Sequence, residues 1–148
     1  VGGDTTQGPL SVTVQLTGFV DATKTMRRDA ARPGDKIYVT GYLGDAALGL
    51  KLVDIHDFPD HSIRKSCIKK LNRPVPRVEF AQKAVEYCSC VIDISDGLLS
   101  DLGHILKAST CGAKVYFDLL PASKEFRKCP EYLTGFDYEQ MLLAGGDD

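Results

Sequence analysis

The chain has 148 residues, a length at which one domain buries roughly 68–70% of the surface that its unfolded form exposes. Hydrophobic residues make up 43% of the chain and charged residues 26%, which is typical of folded globular domains and excludes a disordered, collagen-like or coiled-coil chain. The formal net charge of −2 gives no general attraction to nucleic acid or to an anionic membrane, so we expect neither as a partner.

The first predicted elements are two strands and a helix. Apolar and polar residues alternate over 10–16, and this period of two predicts a strand with one covered face. Polar residues over 21–35 predict a crossing segment and a turn, where a domain boundary can fall. A second strand is predicted over 36–43. Gly44-Asp45 then opens an apolar helical run that reaches Val53.

Positive charge is concentrated between residues 61 and 77. The cations are Arg64, Lys65, Lys69, Lys70, Arg73 and Arg77. Because Pro74 and Pro76 interrupt the pattern, it predicts a basic helix that ends in a rigid connector. An RNA-binding surface would carry interleaved aromatic residues, which are missing here, so we favour a solvated helix face.

The rest of the chain mixes helices with short apolar segments. A helix is predicted from Val78 to Cys88, and the apolar run 91–94 leads into an amphipathic helix over 98–106. Alternation over 113–120 predicts a strand, and 138–144 a last short helix. Since strands and helices mix without strict βαβ regularity, the fold class that we predict is α+β, a layered mixed sheet with helices.

The segment from Asp93 to Gly97 carries the clearest chemistry. It lies where an apolar run turns into a helix, so Ser95 or Asp96 can cap that helix while first-turn N–H groups point outward to a phosphate. Two carboxylates beside a phosphate indicate a divalent cation between them, and Mg²⁺ prefers such oxygen ligands. An N-cap Asp96 with a structural Asp93 is an equally weighted alternative.

Two Gly-Gly-Asp sequences, Gly2-Gly3-Asp4 and Gly145-Gly146-Asp147, have a related composition. Glycine lets the backbone approach a phosphate closely, and Asp4 can hold a metal. Each sequence is also ordinary turn chemistry. Arg27 and Arg28 offer guanidinium donors suited to phosphate oxygens, although a surface loop is the commoner setting for arginine.

Two other patterns are interpreted as structural. Residues 44–51 resemble a phosphate-binding P-loop, but Leu50 stands where Gly-Lys should begin, so a helix is predicted instead. The five cysteines form no C-x-x-C pair and fit a reducing cytoplasm. Cys88 and Cys90 close the pattern that begins at Val78, which favours two semi-buried thiols.

Five motifs in order make the chain resemble the thiamine-monophosphate kinase family. They are Gly2–Leu10, Arg28–Asp35, Gly44–Leu50, Asp93–Ile105 and Gly145–Asp148. The resemblance implies the aminoimidazole-ribonucleotide-synthetase-like superfamily, with a homodimeric parent enzyme. It also implies that residues 1–31 are the last strand and exit segment of an N-terminal ATP-binding domain. Residues 32–148 would be an incomplete C-terminal α+β domain.

The same resemblance implies a role for individual residues. The Mg²⁺ ligands would be Asp4, Asp93 and Asp96. The contacts to ATP would come from Gly3, Asp4, Arg28 and Ser95. Asp93 and Arg28 would act in catalysis, and Asp147 would lie near the thiamine moiety.

The implied reaction moves the γ-phosphoryl group of ATP onto thiamine monophosphate and gives thiamine diphosphate and ADP. We expect the chain alone to be inactive, because the family's N-terminal half carries further aspartates. One alternative is another ATP-using member of the superfamily, such as a selenophosphate synthetase, a hydrogenase-maturation protein or a purine synthetase. A second is a noncatalytic nucleotide-binding module, and RNA binding through residues 64–77 is a third.

Overall fold

Helices dominate the part of the chain that can be described. The computed structural model describes residues 8–9, 12–133, 135 and 137–146. Within them the α-helices are α1 (Asp45–Leu52), α2 (His61–Asn72), α3 (Val78–Ala84), α4 (Leu98–Ser109), α5 (Lys124–Lys128) and α6 (Tyr138–Ala144). Short 3₁₀ turns occur at Ala22–Lys24, Phe117–Leu119 and Cys129–Glu131. None of these helices combines the length and the apolar character that crossing a membrane requires.

Helices α1 and α2 form the centre of the core. A Cβ atom at Gly49 would lie 2.4 Å from the backbone oxygen of Cys67, so only glycine lets the two helix backbones approach this closely. The buried apolar residues around this contact are Leu43, Leu48, Leu52, Phe58, Ile63, Cys67, Leu98, Leu120, Ala122, Phe126, Cys129 and Leu142. The glycines of the P-loop-like run therefore serve packing, and the predicted helix is confirmed.

Hydrogen bonds from polar side chains stabilise the connection between the end of α1 and the start of α2. Asp60 caps α2, because its Oδ1 accepts hydrogen bonds from the N–H groups of Ser62 and Ile63. Arg64 donates from Nε to the Ile55 oxygen and from Nη2 to the Val53 oxygen, both at 2.8 Å. These bonds satisfy carbonyl groups just past α1, which would otherwise lack partners.

The predicted sheet is not confirmed, since residues 12–133 contain no strand. One isolated parallel bridge joins Arg27 to Cys90. Residues 12–20 and 36–43 form no ladder with each other, and the side chains of Val12 and Val14 are exposed. Alternation of apolar and polar residues predicts that one face of a strand is buried. The hydrogen-bonded ladder also requires a second segment alongside, which the pattern does not identify.

Two local predictions are wrong. The strand predicted over 113–120 contains the 3₁₀ turn at Phe117–Leu119, in which the Leu120 N–H bonds the Phe117 oxygen. The helix predicted from Val78 to Cys88 ends at Ala84, with Val85 as its C-cap. Cys88 lies beyond that end and is exposed rather than semi-buried, whereas Cys90 is half-buried.

Candidate functional site

The loop 93–97 leads directly into α4, as the spacing predicted, but a glycine begins the helix. Gly97 is the N-cap, with a φ of 101°, and no side chain caps this end. Capping by Ser95 or Asp96 is therefore wrong. The backbone N–H groups of Ser95 and Asp96 instead donate to Oδ2 of Asp101, each at 3.0 Å.

Asp101 is the residue of this site that sequence reasoning missed. Its side chain is almost fully buried and lies in the first turn of α4, where it contacts the backbone of the loop that precedes the helix. The one available signal was its position, since acidic residues are favoured in the first turn of a helix. Asp101 thus occupies the backbone donors of Ser95 and Asp96, and the side chains of Asp93, Ser95 and Asp96 are exposed to solvent.

The C-terminal glycines lie against this loop. A Cβ atom at Gly146 would stand 1.9 Å from the Ser95 oxygen, and one at Gly97 would stand 2.7 Å from the Ala144 backbone carbon. A Cβ atom at Gly145 would lie 2.7 Å from the Cβ of Ala47 in α1. Two motifs that are about fifty residues apart in the printed sequence thus form one surface beside the start of α1.

Arg28 is brought to the same region from the N-terminal side. Its Nη2 lies 3.8 Å from Oδ1 of Asp93, and the two side chains are 62% and 76% exposed. The Ser109 hydroxyl at the end of α4 donates to the Arg28 carbonyl oxygen at 3.2 Å, which holds the backbone in place. A loose, exposed ion pair of this kind contributes little stability, so both groups can turn to a ligand.

The structure distinguishes Arg28 from its neighbour Arg27. Arg27 makes a bidentate contact with Asp29, with Nε and Nη2 at 2.8 and 2.6 Å from its two carboxylate oxygens. The hydrogen bonds from Arg27 lower the pKa of Asp29 below its ordinary value. Arg27 is therefore neutralised by its own loop, whereas the guanidinium of Arg28 faces the site.

Asp93 and Asp96 carry carboxylates of the ligand type that Mg²⁺ prefers. Both are exposed and flank Ser95, and Mg²⁺ binds through one or two carboxylates while it keeps several waters. The described residues contain no group of three His, Cys, Asp or Glu side chains that could hold a metal ion. The other predicted contacts, Gly3, Asp4 and Asp147, lie outside the described residues.

A buried polar cluster behind α1 was also missed from the sequence. The Asp45 carboxylate is fully buried, accepts a hydrogen bond from the Ser123 hydroxyl at 2.6 Å and forms an ion pair with Lys70. Ser123 in turn accepts from the Phe126 N–H and caps α5. The cluster ties α1, α2 and α5 together. Because the Asp45 and Ser123 side chains are buried and hydrogen-bonded to each other, we infer a structural role.

Comparison with known families gives a match over most of the chain. Residues 32–144 match the family model described as AIR synthase related protein, C-terminal domain. This range contains the loop 93–97, α4 and α6.

Relatives of the whole chain give a consistent result. The chain is 43% identical over 152 aligned residues to the thiamine-monophosphate kinase of Escherichia coli strain K12. This alignment covers all of the chain. The chain spans only 45% of that relative's length. It is therefore similar to rather less than half of a longer enzyme.

Two solved structures resemble the fold. The thiamine-monophosphate kinase from Stenotrophomonas maltophilia K279a superimposes with a TM-score of 0.74 at 39% identity, over 83% of this chain and 40% of that chain. A structure described as AaThiL complexed with AMPPCP and TMP gives a TM-score of 0.75 at 31% identity, with the same coverage. The fold over 83% of this chain is thus similar to that of two solved structures, one of which is described as a thiamine-monophosphate kinase.

Proposed function

Because the chain belongs to the family of AIR synthase related proteins through their C-terminal domain, we propose that the protein containing it is a thiamine-monophosphate kinase. It transfers the γ-phosphoryl group of ATP to thiamine monophosphate and produces thiamine diphosphate and ADP. The observation that carries this proposal is that Arg28 and Gly146 both lie against the loop 93–97, whose Asp93, Ser95 and Asp96 side chains are exposed. Whole-chain similarity to kinases of this name, and a fold shared with a complex of AMPPCP and TMP, support it.

The charges of the site suit this chemistry. An acceptor phosphate is already ionised near pH 7, so the reaction needs no strong general base. The obstacle is the repulsion between two polyanions. The Arg28 guanidinium offers planar donors to phosphate oxygens, and it can exchange its loose contact with Asp93 for such a ligand.

We assign magnesium binding to Asp93, Asp96 and Asp4. When bound, Mg²⁺ would neutralise phosphate charge and stabilise the transferring group. Asp101 supports the two described ligands because it holds the peptide groups on both sides of Ser95. Ser95 and Gly3 are proposed to contact the nucleotide, and Asp147 the thiamine moiety.

The domain division is part of the same proposal. We assign residues 1–31 to the end of an N-terminal ATP-binding domain and residues 32–148 to a C-terminal α+β domain. We propose that the longer protein is cytoplasmic and homodimeric. Its additional segments would pair with this chain and so form the layered sheet. The exposed apolar side chains of Val12, Val14 and Leu16 support this assignment, because a strand partner would cover them.

The test is an assay of the full-length protein with ATP, Mg²⁺ and a panel of acceptors. We expect thiamine diphosphate and ADP in equal amounts, with thiamine monophosphate strongly preferred to selenide and to purine-pathway substrates. Turnover of another acceptor would assign a different member of the superfamily. ATP binding without turnover would indicate a noncatalytic module.

The 148-residue chain serves as a second arm of this assay. We expect it to be inactive, because the longer relatives contain more than twice its length. Robust turnover by the chain alone would contradict the proposal that the rest of the enzyme is needed.

A further inference from the structure

The contact between Asp101 and the loop 93–97 determines which backbone groups the loop can offer to a ligand. The Oδ2 atom of Asp101 accepts hydrogen bonds from the N–H groups of Ser95 and Asp96, each at 3.0 Å, and Asp101 is only 4% exposed. Each N–H group carries a single hydrogen. These two donors are therefore directed at a buried carboxylate and are not available to a phosphate oxygen.

The carbonyl side of the same loop packs against the residues that follow α6. A Cβ atom at Gly146 would stand 1.9 Å from the Ser95 oxygen and 3.4 Å from the Cα atom of Asp96. Ser95 thus has its N–H group bound by Asp101 and its carbonyl group beside Gly146. The loop presents to solvent the side chains of Asp93, Ser95 and Asp96.

The charge of Asp101 also changes what the start of α4 attracts. A helix N-terminus carries about half a positive charge and by itself attracts anions. Asp101 is the acidic residue in the first turn of α4, so a full negative charge of the protein lies at this end of the helix. The carboxylates of Asp93 and Asp96 add to it. A cation is therefore favoured beside the loop over a phosphate group.

Positive charge reaches the loop from a different segment. The Arg28 Nη2 atom lies 3.8 Å from Oδ1 of Asp93, and the Arg28 side chain is 62% exposed. A guanidinium presents planar donors that match phosphate oxygens. Groups suited to a cation and groups suited to a phosphate thus come from the loop and from Arg28, and the two segments meet at Asp93.

We propose that Asp101 is a positioning residue that restricts the loop 93–97 to a divalent cation, so that the phosphate charge of the nucleotide is bound by Arg28. Because it is buried, Asp101 touches neither ligand and acts through the two peptide groups that it holds. This role rests on the nucleotide and magnesium binding proposed above. Without the Asp101 carboxylate, Asp93 and Asp96 remain but the backbone that sets their spacing is no longer held.

The test compares the binding of the ATP analogue AMPPCP to the full-length protein in saturating Mg²⁺ and in EDTA, by calorimetry. The ratio of the two affinities measures the contribution of the cation. Since Mg²⁺ binds free AMPPCP equally in every titration, a different ratio in a variant arises from the protein. We expect Asp101→Ala to lower this ratio by about tenfold or more, without weakening binding in EDTA. Asp101→Asn keeps an acceptor oxygen and should recover part of the ratio.

Two further variants separate this role from a general loss of stability. Glu125→Gln is the matched control for Asp101→Asn, because Glu125 is a partly buried acid in the first turn of α5, a helix that packs against α1 and α2. It should leave both affinities unchanged. Arg28→Ala should show the opposite pattern to Asp101→Ala, with weaker binding in EDTA.

Two results would overturn the role of Asp101. One is an Asp101→Ala protein whose affinity ratio equals that of the unmodified protein. The other is an equal loss of affinity in Mg²⁺ and in EDTA, because a merely structural residue weakens both. Circular dichroism at the titration temperature establishes that the variant is folded, and Asp101→Asn replaces it if it is not.

The readout is binding, so it does not depend on turnover. A protein that binds AMPPCP in this way but forms no thiamine diphosphate would refute the proposed kinase activity and retain the role of Asp101. A protein that forms thiamine diphosphate with an unchanged ratio in Asp101→Ala would do the reverse.

Discussion

Gly146 lies so close to Ser95 that a Cβ atom on the glycine would stand 1.9 Å from the serine carbonyl oxygen. The same surface includes Gly97, whose Cβ would meet the backbone of Ala144. Two glycine-containing motifs therefore share one structural unit, and the position of the loop 93–97 depends on the end of α6.

Gly146→Ala should displace this loop. The added methyl group meets backbone, which cannot move as a flexible side chain can, so overpacking of about 1–3 kcal/mol is expected. Thermal unfolding measures the loss. Gly103→Ala is the matched control, because a Cβ at that exposed position on α4 meets nothing within 4 Å. It should stabilise the helix by about 0.5–1 kcal/mol, and a loss of stability there would contradict the packing described.

Asp101→Ala should loosen the same loop from the opposite side. It leaves the N–H groups of Ser95 and Asp96 without their acceptor, at a cost of about 1–3 kcal/mol. Asp101→Asn retains a carbonyl oxygen and should recover part of that loss. Urea unfolding separates the two variants, and equal stability of both would show that the hydrogen bonds do not matter.

Substitution of Asp45 and substitution of Lys70 should lower the free energy of unfolding by different amounts. The Lys70 side chain is 44% exposed and can turn to water when its partner is neutral, so Asp45→Asn should cost about 1–3 kcal/mol. Lys70→Met leaves the fully buried carboxylate without its cation and should cost about 3–5 kcal/mol. Chemical denaturation of both variants and of the double variant measures the coupling. A larger loss in Asp45→Asn would contradict the assignment.

Asp60 makes α2 sensitive to acid. The hydrogen bond from the Ser62 hydroxyl, followed by the backbone bond from Ile63, lowers the Asp60 pKa below its ordinary value. The folded state therefore favours the ionised form, and this contribution is present above the unfolded pKa of about 3.9. The stabilisation by ionised Asp60 is lost as the pH falls through the lower pKa that this carboxyl has in the folded state. Asp60→Asn keeps a capping oxygen that does not titrate, so its unfolding temperature should depend less on pH between 5 and 2, as circular dichroism can measure.

The sequence predicted most helices because their signals are local. The spacing of Leu98, Leu102 and Ile105 places α4 without reference to the rest of the chain. Strands depend on a partner, so alternation over 10–16 could not establish a ladder. Leu10 and Ser11 also lie outside the described residues.

The candidate site was predicted in its motifs but not in its contacts. Asp93 and Gly97 could be identified from their place before a helix. Arg27 and Arg28 differ because their side chains pair with different aspartates, and the support from Asp101 comes from bonds between its side chain and the backbone. Spacing in the sequence encodes neither. Cys88 was misjudged because the helix pattern continued past the point at which the helix ends.

We propose that Asp93 belongs to the phosphoryl-transfer site of a thiamine-monophosphate kinase. The most direct measurement is the Mg²⁺-dependent formation of thiamine diphosphate by the full-length protein carrying Asp93→Asn, with Asp54→Asn as the control. Asp54 is an exposed aspartate beyond the opposite end of α1 from the site. We expect Asp93→Asn to lower kcat by about a hundredfold or more, as the loss of a charge-stabilising group does, and Asp54→Asn to leave it unchanged. Unchanged turnover in Asp93→Asn would contradict the claim.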